Sequence, residues 1–169
     1  MPRRLPRTLR TAPRHVKHLV SRFFGYLTAQ GLTPREQQQV HDRLDRATAA
    51  LFWTQTAADQ RHAFSVATRV ATLLPGDEEA YIAALLHDVG KGILHLGPIR
   101  RSLATVLGGI GLPMPTSMRR YRLHGPIGAG QLSAAGCDGI VVAFATHHPA
   151  PAPPGIDEAR WAALLEADG

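Results

Sequence analysis

The sequence predicts an all-α protein of about seven helices, and three observations carry that prediction. Apolar residues recur at steps of three and four, and no stretch alternates with the period of two that a half-buried strand requires. Ala, Leu and Val supply most of the apolar content while aromatic residues make up 6%, a mixture that favours helices over sheets. Helix start and stop signals punctuate the chain at helix-length intervals. With 169 residues, 44% of them hydrophobic, the chain matches one domain with a sizeable core and excludes a disordered composition.

The elements follow in order. Residues 1–15 read as a flexible basic arm, because Pro2, Pro6 and Pro13 break any helix and Arg3, Arg4, Arg7, Arg10 and Arg14 repel one another. Val16, Leu19, Val20, Phe23, Phe24 and Leu27 then form one apolar helical face. Lys17, His18 and Arg22 lie opposite it. Residues 16–50 are therefore read as helices packing on the body, with a membrane-surface helix as the alternative for the first of them. Thr33, Pro34 and Glu36 supply an N-cap, an N1 proline and a capping box for a helix of about three turns through Val40 and Leu44. A longer helix runs from near Ala57 to Leu74, stopped by Pro75-Gly76. Asp77 caps the next, which is apolar up to His87-Asp88, with Gly90 as a natural stop. Residues 92–120 are less regular, with a short helix over Arg100 to Leu107. Helices over His124 to Ala135 and Gly139 to His147 follow, then a stiff proline-rich connector at 149–154 and a last helix from Asp157 to Asp168.

Charge narrows the function classes. Residues 1–22 hold seven basic residues and no acid, whereas the remainder holds 12 basic and 13 acidic residues. The net charge of +6 thus belongs to the arm, and a nucleic-acid reading of the whole protein does not follow from it. Contact of residues 1–22 with nucleic acid or membrane is a minor alternative. The lone Cys137 excludes an internal disulfide framework and suits a reducing cytoplasm, where it reads as a packing residue. No apolar run is long enough for a transmembrane helix. The positive start lacks the apolar segment of a secretory signal, although an Arg-rich, acid-free start also resembles a transit peptide.

The chemistry lies in the histidines. His62 sits within a helix, His87-Asp88 ends an otherwise apolar one, His124 opens a helix, His147-His148 ends another, and Asp168 ends the last. Imidazole and carboxylate together suit divalent metals such as Fe, Mn, Zn, Ni or Co. Buried without partners, His87 and Asp88 would cost several kcal/mol, and a metal would satisfy them. Any one of these residues alone, like His15, His18, His41 and His95, would read as a surface or satisfied core histidine. Their joint occurrence in order, with apolar neighbours, makes the case.

Residues 59–168 resemble the HD-domain superfamily of metal-dependent phosphohydrolases. Leu85-Leu86-His87-Asp88-Val89-Gly90-Lys91 resembles its His-Asp-x-Gly-Lys signature, His62 its first histidine and Asp168 its final aspartate. His124-Gly125-Pro126-Ile127-Gly128-Ala129 and His147-His148 are similar to the larger set of the two-metal branch, which includes the HDIG-type and HD-GYP proteins. The resemblance implies a single HD domain over residues 51–169, built as a helical bundle. It assigns His62, His87, Asp88 and Asp168 to one divalent metal. It assigns His124, His147 and His148 to a second, with Asp88 shared; a single metal with spare histidines is the alternative. Pro149-Ala150-Pro151 stands where the HD-GYP group has its Gly-Tyr-Pro run, which argues against cyclic dinucleotide hydrolysis.

The implied activity is hydrolysis of a phosphoester or phosphoanhydride, a nucleotide foremost, by metal-activated water. Asp88 and Lys91 take the catalytic roles, and Lys91, Arg61 and Arg101 are the candidates for binding a phosphate. The alternatives are a non-catalytic HD signalling module and a di-iron oxygenase on a related scaffold.

Overall fold

A computed structural model describes residues 30–94 and 123–169. The arm, the helix expected from Val16, the helix expected over Arg100 to Leu107, and Arg101 itself lie outside the described residues. Within them the protein is all-helical, with seven α-helices, one 3₁₀ segment and no strand: α1 Pro34–Arg43, α2 Arg46–Trp53, α3 Ala57–Leu73, α4 Glu78–Leu86, the 3₁₀ segment Val89–Leu94, α5 His124–Ala134, α6 Gly139–His147 and α7 Glu158–Asp168.

Local chemistry starts most of these helices. At α1 the Thr33 N–H donates to Glu36 Oε2 at 2.7 Å and the Glu36 N–H to Thr33 Oγ1 at 3.4 Å, closing the capping box. The Asp45 carboxylate accepts from the Thr48 N–H at 2.8 Å, which starts α2. Asp77 and Asp157 act likewise for α4 and α7. Helix α2 runs through position 50, and Phe52, Val40 and Leu44 join the same buried cluster as the later helices. The division expected between residues 50 and 51 therefore falls inside a helix.

Helix α4 is the centre of the bundle. Ala80, Tyr81, Ala83, Ala84, Leu85 and Leu86 are all buried, so it is covered on every side. It packs against α3, α6, α7 and α2, while α5 packs on α6 and on the 3₁₀ segment. Arg160 ties the start of α7 to the start of α4, donating to both Asp77 carboxylate oxygens at 2.7 Å and to Glu79 at 3.0 Å. At their far ends His87 Nε2 lies 3.4 Å from Asp168 Oδ1. The two helices thus run side by side in the same direction and deliver their C-terminal residues to one place.

Gly90 does not act as the simple helix stop that the sequence suggests. The α-helix ends at Leu86, His87 keeps helical angles, and the chain tightens into the 3₁₀ segment. Gly90 instead lets that segment touch α5: a Cβ there would lie 2.0 Å from the His124 carbonyl oxygen. Gly125 does the same against α6, where a Cβ would lie 2.9 Å from the Ala145 carbonyl oxygen. These two contacts draw the start of α5 against the ends of α4 and α6.

Candidate metal centre

Six of the seven residues expected to bind metal converge. They come from five elements: His62 from α3, His87 and Asp88 from the end of α4, His124 from the start of α5, His148 from the end of α6, and Asp168 from the end of α7. His62 Nε2 lies 3.0 Å from Asp168 Oδ1. His87 Nε2 lies 3.3 Å from Asp88 Oδ2. On the other side of Asp88, its Oδ1 faces His124 Nε2 at 3.5 Å and His148 Nε2 at 3.6 Å. His87 and Asp88 are 1% exposed, so this centre lies under the surface, with His62 and His124 toward its rim.

Two of the imidazoles are held in a defined tautomer. The Ala84 carbonyl accepts from His87 Nδ1 at 2.8 Å, and the Phe144 carbonyl from His148 Nδ1 at 2.7 Å. A carbonyl only accepts, so in the neutral ring the proton stays on Nδ1 and Nε2 faces the cluster. The Phe144 ring packs beside both, with centroids 5.8 Å from His87 and 5.3 Å from His148. Neither Ala84 nor Phe144 stood out in the sequence, but both occupy the helical back-bonding positions, three and four residues before the histidine they hold.

Whether these donors fit a metal is decided by their spacing. Ligands bound at 2.0–2.2 Å with tetrahedral or octahedral angles lie about 3–3.5 Å apart. The separations from 3.0 to 3.6 Å match that range. Most of them are too long for good hydrogen bonds. Asp88 Oδ1 is buried and has no hydrogen-bond partner among the described residues, which a cation would supply. Two overlapping groups have ligand atoms within 4.8 Å of one another: His62, His87 and Asp168, and His87, Asp88 and His148. The two groups overlap at His87, but with its Nδ1 on the Ala84 carbonyl that ring offers one ligand atom, whereas the two oxygens of Asp88 face both sides.

Electrostatics also favours a cation. The C-terminal ends of α4, α6 and α7 meet at the cluster, and each carries the negative pole of its helix. Burial would lower the proton affinity of His87, but the Asp88 and Asp168 carboxylates outweigh it and raise its pKa to about 10. Burial would raise that of Asp88, and Lys91 and His87 overcome it, holding the carboxylate well below its usual range. Asp168 is likewise depressed, against its burial, by His62 and His87. The Lys91 ammonium pairs with Asp88 Oδ2, and its side chain is 16% exposed.

His147 and Arg61 stand apart from this group. His147 is exposed, and neither group of ligand atoms includes it. His147 is the last residue of α6 and faces solvent, whereas His148, at the cap with extended ψ, turns into the cluster. Arg61 turns away from His62. It donates to Glu36 at 2.5 and 2.9 Å and to the Gly31 carbonyl at 2.7 Å, which anchors α1 to α3. A hollow of about 300 Å³ lined by Gln39, Asp42, Arg43, Thr68, Ala71 and Tyr81 includes no residue of the cluster, and its Arg43 is engaged by Glu78 and Tyr81.

Among the described residues no helix is long and apolar enough to cross a membrane. Comparison of the chain with protein-family models, with curated proteins and with solved structures finds no match.

Proposed function

We propose that this protein is an HD-type, metal-dependent phosphohydrolase acting on a phosphoester or phosphoanhydride, with a nucleotide as the leading substrate class. The observation that carries the reading is the meeting of His62, His87, Asp88, His124, His148 and Asp168 at ligand spacing around a buried carboxylate oxygen that accepts no hydrogen bond among the described residues.

His62, His87, Asp88 and Asp168 would hold one divalent ion, and His124 and His148, with Asp88, a second; Fe, Mn, Zn, Ni and Co all suit this donor set. A metal bound there supplies Lewis acidity toward a phosphoryl oxygen and acidifies water at neutral pH. The chain's own residues do the rest. The Ala84 and Phe144 carbonyls keep His87 and His148 aimed inward, so the donors need little reorganisation. Phe144 and the apolar end of α4 exclude bulk water from beneath the centre. Lys91, beside Asp88 and partly exposed, would meet a phosphoryl oxygen as a point charge. A cytoplasmic location accords with the lone Cys137.

The test is turnover of a phosphodiester, a phosphomonoester and a nucleotide panel by protein loaded with each metal in turn. Hydrolysis that a chelator abolishes and metal restores supports the reading. Metal bound without turnover of any phosphate compound sinks it, and oxygen uptake with iron would then point to the oxygenase.

A further inference from the structure

Helix α6 ends at His147, so its hydrogen-bond ladder does not fix the chain beyond that residue. His148, the residue that enters the cluster, stands at the cap with φ −57° and ψ 142°, and Pro149 after it has no N–H to donate. The turn is closed at Ala150 instead. The Ala150 N–H donates to the His147 carbonyl at 2.7 Å, and the Ala150 carbonyl accepts from Trp161 Nε1 at 3.0 Å. His148 therefore lies between two anchors. One is the Phe144 carbonyl, which accepts from its N–H at 3.1 Å and from its Nδ1 at 2.7 Å; the other is the Trp161 indole. Ala150 is exposed, so water would satisfy its carbonyl, and the indole bond is not needed to pair that group.

Trp161 is 2% exposed and also supports the rings of the cluster. Its ring meets Phe144 edge to face, with centroids 5.3 Å apart and planes at 84°. Phe144 in turn lies 5.3 Å from His148 and 5.8 Å from His87. On its own helix Trp161 stands seven residues before Asp168. Seven residues make nearly two full turns, which puts the two on one face of α7, about 10 Å apart along the axis. Burial of the indole thus also sets the rotation of the helix that ends in Asp168. One side chain touches the supports of His148, His87 and Asp168, which belong to three helices.

We propose that Trp161 is a positioning residue for the cluster, whose indole N–H, through the Ala150 carbonyl, holds the turn that aims His148 Nε2 at Asp88. The inference rests on the metal-centre reading for the ion that His148 would bind, but not for the orientation of its ring. A Trp161 that contributed burial alone would affect stability, and its loss would leave the orientation of His148 unchanged.

The experiment uses the full chain and two variants. Trp161→Phe keeps a ring against Phe144 and removes the N–H, and Val70→Ala empties fully buried space on α3 without touching these contacts. Circular dichroism and thermal melting confirm that each folds and rank their stability. Long-range proton–nitrogen spectra of the metal-free proteins at mildly alkaline pH report the tautomer of His148. Titration with Co(II), followed by visible absorption, reports affinity and ligand geometry. The expected result is that wild type and Val70→Ala show the Nδ1–H tautomer of His148. Trp161→Phe should show it mixed with the Nε2–H form, bind Co(II) about tenfold more weakly and shift the visible bands. A Trp161→Phe protein with the wild-type tautomer and affinity overturns the proposal. So does an equal loss of Co(II) affinity in Val70→Ala, because the effect is then one of stability. Wild type that binds no metal, with the tautomer lost in Trp161→Phe alone, would uphold the proposal and overturn the metal-centre reading. Should Trp161→Phe not fold, wild type decides. The Trp161 indole N–H signal then moves with those of His148 as Zn(II) is added, while that of Trp53 stays; a Trp161 signal indifferent to Zn(II) overturns the proposal.

Discussion

Gly90→Ala adds a single methyl group at the tightest point of the fold. That Cβ would lie 2.0 Å from the His124 carbonyl oxygen, 2.7 Å from the Gly128 nitrogen and 2.9 Å from the His124 carbonyl carbon. All three are backbone atoms, so no change of rotamer relieves the clash. A carbon–oxygen contact relaxes to about 3.3 Å, so the first turn of α5 must retreat by about 1.3 Å. Overpacking of this kind costs about 1–3 kcal/mol, and a clash against rigid backbone falls at the upper end. At about 2–4 °C per kcal/mol for a domain of this size, the melting temperature should fall by roughly 6–12 °C. The same retreat carries His124 away from Asp88 Oδ1, now 3.5 Å distant, and out of ligand range. Gly130→Ala is the matched control on the same helix, because nothing lies within 4 Å of its Cβ. It should stabilise by about 0.5–1 kcal/mol through helix propensity alone. Urea denaturation and thermal melting of both variants give the answer. If Gly90→Ala melts with wild type, α5 does not rest on the 3₁₀ segment as described, and the placement of His124 fails with it.

Two further predictions separate the metal account from a purely structural one. His148→Ala should weaken metal binding by more than the roughly 10–100-fold lost with an outer-shell partner, while His147→Ala should bind as wild type does; titration with a metal indicator distinguishes them. Equal losses would mean that both histidines face the centre. The second concerns pH. The pKa of His87 is raised from 6.5 to about 10. In the metal-free protein its ion pairs therefore stabilise the fold fully below pH 6.5, and that contribution is lost as pH rises through about 10. Metal needs the deprotonated Nε2, so binding expels a proton, and affinity should climb by up to tenfold per unit between about pH 7 and 9. Affinity that is flat across this range would show that His87 is not a ligand.

Much of the fold was legible in the sequence because its helices carry local start signals. Thr33 with Glu36, and Asp77 and Asp157, cap as their positions imply. The expected span from Ala57 to Leu74 matches α3 to within a residue. Helix α2 escaped notice because Ala49 to Trp53 form a continuous apolar run without periodicity, although Asp45 followed by Thr48 was a usable cap signal. The 3₁₀ segment was missed because Gly90 reads locally as a stop, whereas its reason for being glycine is a contact with residues more than thirty positions later. For the site, the residue types and their order were visible, and six of the seven expected ligands meet. The choice between His147 and His148 was not, since it depends on how α6 is rotated against α4. The commitment of Arg61 to Glu36 was equally hidden, being a pairing across 25 positions.

The central claim is that these side chains form a metal centre. Elemental analysis of wild type and Asp88→Ala, each reconstituted and desalted, tests it most directly, with circular dichroism to confirm that the variant folds. About two divalent ions per chain in wild type, and their loss in a folded Asp88→Ala protein, is the result the account predicts. No stoichiometric metal in wild type after reconstitution would contradict it and leave the cluster as a buried ion-pair network.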